Sequence, residues 1–248
     1  MTEKFSEPKP PRLKFFKEKA ERINSTEYDR VVEEMVLKAG NFFSKIQPTE
    51  QLSDKDSFGD IDIVGLPATE VNKETFEEIF GENLKGYNKT SHVHSLLVSL
   101  TSGKEVQVDF IQSKDDADFE RKHMYYSKGH LSSIIGMMAK KLHFKYGTEG
   151  FFKRFKDKRG NWHDIRVSKS LRDGLAILGF DTEAYEQIHT LDDIIKYVEN
   201  SPLFDASYYQ FDNIVRRDKE AIKRNVREEY LFTQLGQAMK NRATEDEN

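Results

Sequence analysis

The stretch DSFGDIDIVG constrains this chain more than any other part of its sequence. Asp60 and Asp62 stand one residue apart, with Ile61 between them and further β-branched residues behind them. Such a run predicts a strand, yet burying an unpaired carboxylate in a strand is costly. Because side chains alternate between the two faces of a strand, we expect Ile61 and Ile63 to face a core and both aspartates to face a cleft.

A third carboxylate follows in the segment KEVQVDFIQ, whose strict alternation predicts the second strand of a hairpin. Its apolar face holds Val106, Val108 and Phe110, and Asp109 lies on the other face, 47 residues after Asp62. That spacing leaves room for a helix and a hairpin to bring the two strands side by side. Like charges in one cleft repel unless a cation lies between them, and Mg²⁺ prefers carboxylate and phosphate oxygens.

The three aspartates Asp60, Asp62 and Asp109 therefore predict a two-metal site for Mg²⁺ or Mn²⁺ that carries out phosphoryl transfer. The composition excludes several other kinds of functional site. The chain has 248 residues, a net charge of −4 and no cysteine, so disulfides, zinc–thiolate sites and cysteine nucleophiles are excluded. A polyanion could bind only at a local basic patch. The sequence shows no apolar span and no signal peptide, which favours a cytoplasmic protein without a membrane partner.

The element pattern predicts an α+β chain, in which a small mixed sheet with flanking helices precedes a mostly helical domain. A helix is expected from a capping box of Thr26 and Asp29. A strand, a second helix and a hairpin follow it. The expected organisation is a basic N-terminal arm at 1–24 that becomes helical near 13–23, a core at 25–115, a helical domain at 116–240 and an acidic tail at 241–248.

Strand patterns fade after Asp116, and four helices are predicted in the remainder of the chain. The first is buried and ends at Gly147, the second ends near Gly179, and the third begins at the N-cap candidate Thr190. The last is expected to run without interruption over 211–240.

The motifs SFGDIDIVG and VQVDFI resemble those of the nucleotidyltransferase superfamily of the DNA polymerase beta type, over roughly residues 40–112. The helical remainder looks like that of uncharacterised phage-type members. The resemblance implies that Asp60 and Asp62 ligate two magnesium ions and that Asp109 ligates the catalytic one. It also implies transfer of a nucleoside monophosphate from a triphosphate, such as ATP, to a hydroxyl acceptor, with release of pyrophosphate.

One element of that family pattern is missing, since no Gly-Ser pair opens a helix shortly before Asp60. Gly40-Asn41 lies 20 residues upstream of Asp60, and in the family the Gly-Ser pair grips the triphosphate through backbone N–H groups. The residues expected to contact the nucleotide instead are Ser57, Gly59, Ser127, Lys140 and Lys141.

A basic segment at 140–159 carries eight lysines and arginines against two acids, with five aromatic residues interleaved. Cations beside aromatic rings suit phosphate contacts and base stacking, so RNA is the favoured acceptor. A solvated helix face and a loop anchored in the core by its aromatics would give the same pattern. The predicted nucleic-acid contacts are Lys145, Lys153, Arg154, Lys156 and Arg159, whereas Trp162 is expected to be a packing residue.

Two other functions and one other metal site are compatible with the sequence. The missing Gly-Ser pair favours a catalytically inactive module of the same fold that binds nucleic acid or protein. The D-x-D motif alone would also suit a glycosyltransferase that holds a nucleotide-sugar. His92 and His94 could ligate zinc, although no third ligand at suitable spacing accompanies them. The base preference and the oligomeric state are not encoded in any motif of this sequence.

Overall fold

The computed structural model describes Phe16 and residues 19–245, with side chains up to residue 238 in the C-terminal helix. Most of the predicted basic arm at 1–24 and the side chains of the acidic tail at 241–248 lie outside this range. The chain is α+β. It divides into two compact units, Met1–Ile46 with Ser57–Gln112 and Gln47–Asp56 with Ser113–Asn248. The predicted domain boundaries stay predictions.

The first unit is built on a five-stranded sheet with the order β2-β4-β7-β6-β5. Strands β4 and β7 run parallel, whereas β6 is antiparallel to both β7 and β5. A two-stranded pair, β1 with β3, lies outside that sheet. The elements in chain order are β1 (Ile23–Asn24), α1 (Ser25–Ala39), β2 (Phe43–Pro48), β3 (Ser57–Phe58), β4 (Ile61–Pro67), α2 (Lys73–Phe80), β5 (Leu84–Thr90), β6 (Val93–Ser99) and β7 (Glu105–Gln112).

One face of this sheet is apolar because the strands alternate as predicted. Ile61 and Ile63 of β4 share a buried cluster with Val108 and Phe110 of β7, and Phe76 of α2 packs into the same cluster. Phe76 and Ile63 are fully buried. The core thus occupies the odd-numbered side of β4, which leaves Asp62 on the opposite side.

The structure differs from the predictions for this unit in two respects, and a third prediction lies mostly outside the described residues. Helix α1 begins at Ser25 and not at a Thr26–Asp29 box, because Asn24 caps it and Glu27 completes the capping box. Strands β1, β2, β3 and β5 were not predicted. The helix expected at 13–23 lies mostly outside the described residues, and its last residue belongs to β1. Helix α2 and the hairpin of β6 and β7 are confirmed.

The second unit combines helices with a three-stranded antiparallel sheet of order β10-β9-β8. Its core joins α4, the sheet, α5, α6 and α8 in one buried cluster. The elements are α3 (Asp116–Tyr126), α4 (Leu131–Lys141), β8 (Phe144–Gly147), β9 (Gly150–Lys156), β10 (Trp162–Ser168), α5 (Leu171–Ile177), α6 (Leu191–Glu199), α7 (Arg216–Ile222) and α8 (Val226–Glu245).

The prediction of a mostly helical second domain is wrong for 144–168, where this sheet lies. Helix α4 ends at Lys141 and not at Gly147, and His143 turns the chain into β8 with a φ of 61°. The single helix predicted over 211–240 is a 3-10 turn followed by α7 and α8. The helix ending near Gly179 and the Thr190 cap of α6 are confirmed. No helix in the described ranges is long and apolar enough to cross a membrane.

Candidate functional site

Asp62 and Asp109 are direct neighbours in the first unit, because they are register partners on the parallel strands β4 and β7. Adjacent strands lie about 4.8 Å apart, so both side chains project from one face of the sheet at nearly the same point. On the other side of β7, the register partner of Asp109 is Ser95 of β6. Both aspartates are half-buried. The predicted convergence of these two acids on one face is confirmed.

Gln107 holds the carboxylate of Asp109. It lies two residues earlier on the same face of β7, and its Nε2 amide donates to Oδ1 at 3.0 Å and Oδ2 at 3.2 Å. The Gln107 side chain is itself buried, which restricts its rotamers and those of its acceptor. No motif drew attention to Gln107, although strand alternation places it beside Asp109.

Asp60 comes immediately before β4, whose first residue is Ile61. It is half-buried, like the other two aspartates. In the described part of the chain, no group of three or more His, Cys, Asp or Glu side chains is arranged so that it could hold a metal ion. The sheet therefore offers a carboxylate pair, with Asp60 next to it in sequence.

A carboxylate pair fits the donor set that Mg²⁺ uses with nucleotides. Mg²⁺ is commonly bound by one or two carboxylates together with substrate phosphates and water, and seldom by a cage made only of protein ligands. Asp62 and Asp109 supply hard oxygen ligands on two rigid strands. Two carboxylates would hold such an ion only together with further oxygen ligands, such as those of phosphate and water.

The two residues predicted to bind nucleotide just before Asp60 lie at the end of the short pair β1–β3. The Ser57 hydroxyl accepts a hydrogen bond from Arg22 Nε at 2.7 Å, and the Ser57 carbonyl accepts one from Arg22 Nη2 at 2.7 Å. Gly59 lies in a bend between β3 and Asp60. Their contact with a nucleotide stays a prediction.

The other three residues predicted to bind nucleotide belong to the second unit and have partners there. The buried hydroxyl of Ser127 accepts the backbone N–H of Glu50 at 3.0 Å. Lys140 forms an ion pair with Asp218, and Lys141 donates to the carbonyl of Asn213 at 2.6 Å. Their proposed role likewise stays a prediction.

The basic segment folds into the sheet of β8, β9 and β10. The strand register places its cations on two different faces of that sheet. Lys145 lies opposite Phe152, Arg154 opposite Asp164, and Lys156 opposite Trp162, all on one face. Lys153 points to the other face, where its Nζ lies 4.1 Å from the ring centroid of Phe144. Arg159 lies in the turn, and its backbone N–H donates to Asp157.

Two aromatic residues that motif reasoning did not assign to a site lie among those cations. Trp162, predicted to be a packing residue, is 51% exposed, so that prediction is wrong. Arg154 and Lys156 lie 5.6 Å and 5.0 Å from its ring centroid. Phe152 is flanked in the same way by Lys145 at 5.1 Å and Arg166 at 5.3 Å. The signal available in the sequence was the alternation of Phe152, Arg154 and Lys156.

One of the two histidines considered for zinc, His94, has both ring nitrogens engaged within the protein. His94 is buried on the core face of β6, between Tyr87 and Gln112. Its Nε2–H donates to Gln112 Oε1 at 3.1 Å, and its Nδ1 accepts from the Tyr87 hydroxyl at 3.0 Å. Burial lowers the pKa of His94, and the hydrogen bond to Gln112 opposes that effect only in part. His94 is thus a neutral structural residue of the core.

The second unit also contains a cavity of about 510 Å³ next to α3 and α5. Its wall includes Arg121, which bonds to Asp118, and Arg172, which bonds to Glu186. Among the residues predicted to bind nucleotide, only Ser127 lines this cavity. The two arginines serve ion pairs within the unit, and this arrangement does not single out a ligand.

Comparison with known proteins adds no family to this description. No protein-family model matches the chain, and no curated protein matches it.

Proposed function

We propose that the chain is a divalent-metal-dependent nucleotidyltransferase. It would bind a nucleoside triphosphate with Mg²⁺ at Asp62 and Asp109, assisted by Asp60, and transfer the nucleoside monophosphate to a hydroxyl acceptor. The observation that carries the proposal is the register pairing of Asp62 with Asp109 on adjacent parallel strands. The small mixed sheet with helices α1 and α2 agrees with the nucleotidyltransferase-like fold that the motifs imply.

Each aspartate has a distinct role in this proposal. When bound, the metal ion would supply charge neutralisation for the phosphate oxygens and activate the acceptor hydroxyl. Asp62 would position the nucleotide phosphates through that ion. Asp109 would ligate the ion and accept the hydroxyl proton, with Gln107 keeping its carboxylate in place. Asp60 would approach the same ion from the start of β4.

The polar face of the sheet supports these roles because it is rigid. β7 is a central strand, paired with β4 on one side and β6 on the other. The apolar side of β7 is anchored by Val108 and Phe110, which are almost completely buried. A carboxylate on such a strand moves little, and catalysis by positioning needs that restriction.

Calorimetric titration with Mg²⁺ or Mn²⁺ and a non-hydrolysable nucleoside triphosphate tests the proposal. We expect the wild type to bind the metal and nucleotide together, and Asp62→Asn and Asp109→Asn to lose most of that binding. Asp29→Asn, an exposed acid of α1, is the matched control and should bind like the wild type. Equal binding by all four proteins would refute the proposed site.

A catalytically inactive module of the same fold is the second candidate. Two observations favour it: the Gly-Ser pair is missing before Asp60, and no three-ligand cluster is found in the described ranges. Transfer of a labelled nucleotide to a mixed RNA pool separates the two candidates. Transfer by the wild type that is lost in Asp109→Asn supports the enzyme, whereas nucleotide binding without transfer to any acceptor supports the module.

A further inference from the structure

The outer face of the three-stranded sheet in the second unit carries an unusual set of side chains. Register pairing places six of them together, namely Lys145, Phe152, Arg154, Lys156, Trp162 and Arg166. We name this surface the basic-aromatic face. Phe151, on the opposite side of β9, packs against α5 so closely that a Cβ at Gly174 would lie 2.9 Å from its ring. The basic-aromatic face is therefore directed away from the core of the unit.

This face concentrates positive charge on an exposed part of the sheet. It carries four cations and one carboxylate, Asp164, on a protein whose net charge is −4. Six of the seven residues of β10 are exposed. A concentrated positive patch on an acidic protein attracts a polyanion locally and not through the overall field of the molecule.

The rings on this face stand among cations, the combination that binding sites for single-stranded nucleic acids use. Trp162 and Phe152 each have two cations within 6 Å of the ring centroid. A base that stacks on such a ring brings its phosphates close to the neighbouring cations. Bases inside a duplex are stacked on each other, so their faces are not available to these rings.

We propose that the basic-aromatic face binds single-stranded nucleic acid, with bases stacked on Trp162 and Phe152 and phosphates held by Lys145, Arg154, Lys156 and Arg166. That the bound strand is also the acceptor rests on the proposed function, whereas the binding itself does not. Asp164 holds Arg154 through Oδ1 at 2.8 Å and Lys145 through Oδ2 at 3.3 Å. It thus competes with phosphate for two of the four cations.

The same hairpin supplies matched controls on its opposite face. Phe155 is 42% exposed, close to the 51% of Trp162, and Lys153 lies on the same strand as Lys156. Phe155 and Lys153 alternate with the residues of the basic-aromatic face and point the other way, so this proposal removes Lys153 from the nucleic-acid contacts that the sequence pattern predicts. Comparing variants of Phe155 and Lys153 with variants of Trp162 and Lys156 separates an effect of the basic-aromatic face from a general effect of aromatic or positive residues on this hairpin.

Fluorescence anisotropy with labelled strands of about 15 nucleotides, one RNA and one DNA, tests the proposal. We expect Trp162→Ala to weaken binding of the strand about tenfold. Trp162→Phe, which keeps an aromatic ring, should retain most of the wild-type affinity. Lys156→Ala should reduce the salt slope by about 0.7. Asp164→Asn should tighten binding because it releases two cations. Phe155→Ala and Lys153→Ala should match the wild type, and chemical unfolding verifies that each variant is folded.

Binding of either strand with these variant effects supports the proposal, and the tighter of the two identifies the natural ligand class. Preference for a duplex of equal length, or equal binding by Trp162→Ala and Phe155→Ala, would overturn it. The proposal would also be overturned if the wild type bound no strand and instead formed a dimer that Trp162→Ala dissociates. That result would place a second copy of the chain on this face. Asp62→Asn should bind the strand like the wild type, so failure here and failure of the proposed function are distinguishable.

Discussion

Asp62 and Asp109 lie side by side on parallel strands although 47 residues separate them in the chain. The intervening helix α2 and strands β5 and β6 return the chain so that β7 enters the sheet next to β4. Because the two strands are parallel and Asp62 is the register partner of Asp109, both carboxylates lie on the same face of the sheet and at the same position along the strands. Two like charges at this spacing destabilise each other unless a cation or donor groups compensate them. That electrostatic arrangement underlies the metal–nucleotide proposal.

Gln107 is expected to tune the metal affinity of Asp109. Replacing it with leucine removes the amide that donates to both carboxylate oxygens. Loss of such a supporting hydrogen bond typically weakens metal binding by about 10- to 100-fold. Calorimetry with Mn²⁺ and a triphosphate analogue measures the effect. Asn83→Ala, at an exposed position of the same unit, is the control, and wild-type affinity in Gln107→Leu would remove Gln107 from the site.

His94 predicts a loss of stability in mild acid. Burial lowers the pKa of His94 in the folded state below its unfolded value of about 6.5. Between these two pKa values the unfolded chain binds more protons than the folded chain. The free energy of unfolding should therefore be fully retained above about pH 6.5 and fall as the pH is lowered. Denaturant unfolding at several pH values measures this slope.

His94→Gln should flatten the slope, because glutamine does not titrate. His189→Gln, at an exposed histidine of the other unit, should leave it unchanged. An identical slope in the wild type and His94→Gln would contradict the assignment of His94 as a buried neutral histidine.

Asp118 neutralises a buried lysine in α3. Lys122 is only 1% exposed and donates to Asp118 Oδ2 at 2.8 Å. Burial alone would raise the pKa of Asp118, but the hydrogen bond from Lys122 and its positive charge lower the pKa overall. Asp118→Asn should reduce the free energy of unfolding by about 3–5 kcal/mol, because it removes the buried carboxylate to which Lys122 donates.

Equilibrium unfolding in urea measures that cost. Asp116→Asn, at an exposed acid in the first turn of the same helix, should lose less than about 1 kcal/mol. Similar losses in the two variants would show that Lys122 does not depend on Asp118.

Gly150 is needed for the turn between β8 and β9. Its φ is +121°, and an added Cβ would lie 2.5 Å from the carbonyl oxygen of Ser168. Gly150→Ala should therefore cost about 1–3 kcal/mol for the backbone strain alone. Gly147, its partner across the hairpin, has open space at its Cβ position, so Gly147→Ala is the control for thermal unfolding. Equal melting temperatures for the two variants would contradict this account.

The strands that carry the aspartates could be predicted because each has one buried and one polar face. Ile61 and Ile63 alternate with the acids on β4, and Val108 and Phe110 do the same around Asp109 on β7. A period of two is the strongest sequence signal for a half-buried strand. The pairing of β4 with β7, and with it the register of Asp62 and Asp109, depends on interactions between distant parts of the chain that no local pattern encodes.

The sheet of the second unit was missed for the opposite physical reason. Strand β10 has six exposed residues out of seven, so burial imposes no alternation on its sequence. Strand β9 begins with a glycine and two consecutive phenylalanines, of which Phe151 is buried and Phe152 is not. Helix and strand cannot be distinguished by periodicity in such segments. The basic-aromatic face became visible only when the register had paired its residues.

The break between α7 and α8 had a local signal. Asn225 Oδ1 accepts the backbone N–H groups of Arg227 at 3.1 Å and Glu228 at 3.3 Å, as an N-cap residue does. Asparagine followed three residues later by glutamate is the corresponding sequence pattern. The continuous run of charged residues on both sides concealed it.

The central claim is that Asp62 and Asp109 hold a metal ion together with a nucleoside triphosphate. The most direct test is a crystal grown with Mn²⁺ and a non-hydrolysable triphosphate, with anomalous diffraction locating the manganese. We predict an anomalous peak between the two carboxylates, with phosphate oxygens among its ligands, and no such peak in Asp109→Asn. Bound nucleotide whose manganese is located away from both aspartates would contradict the claim.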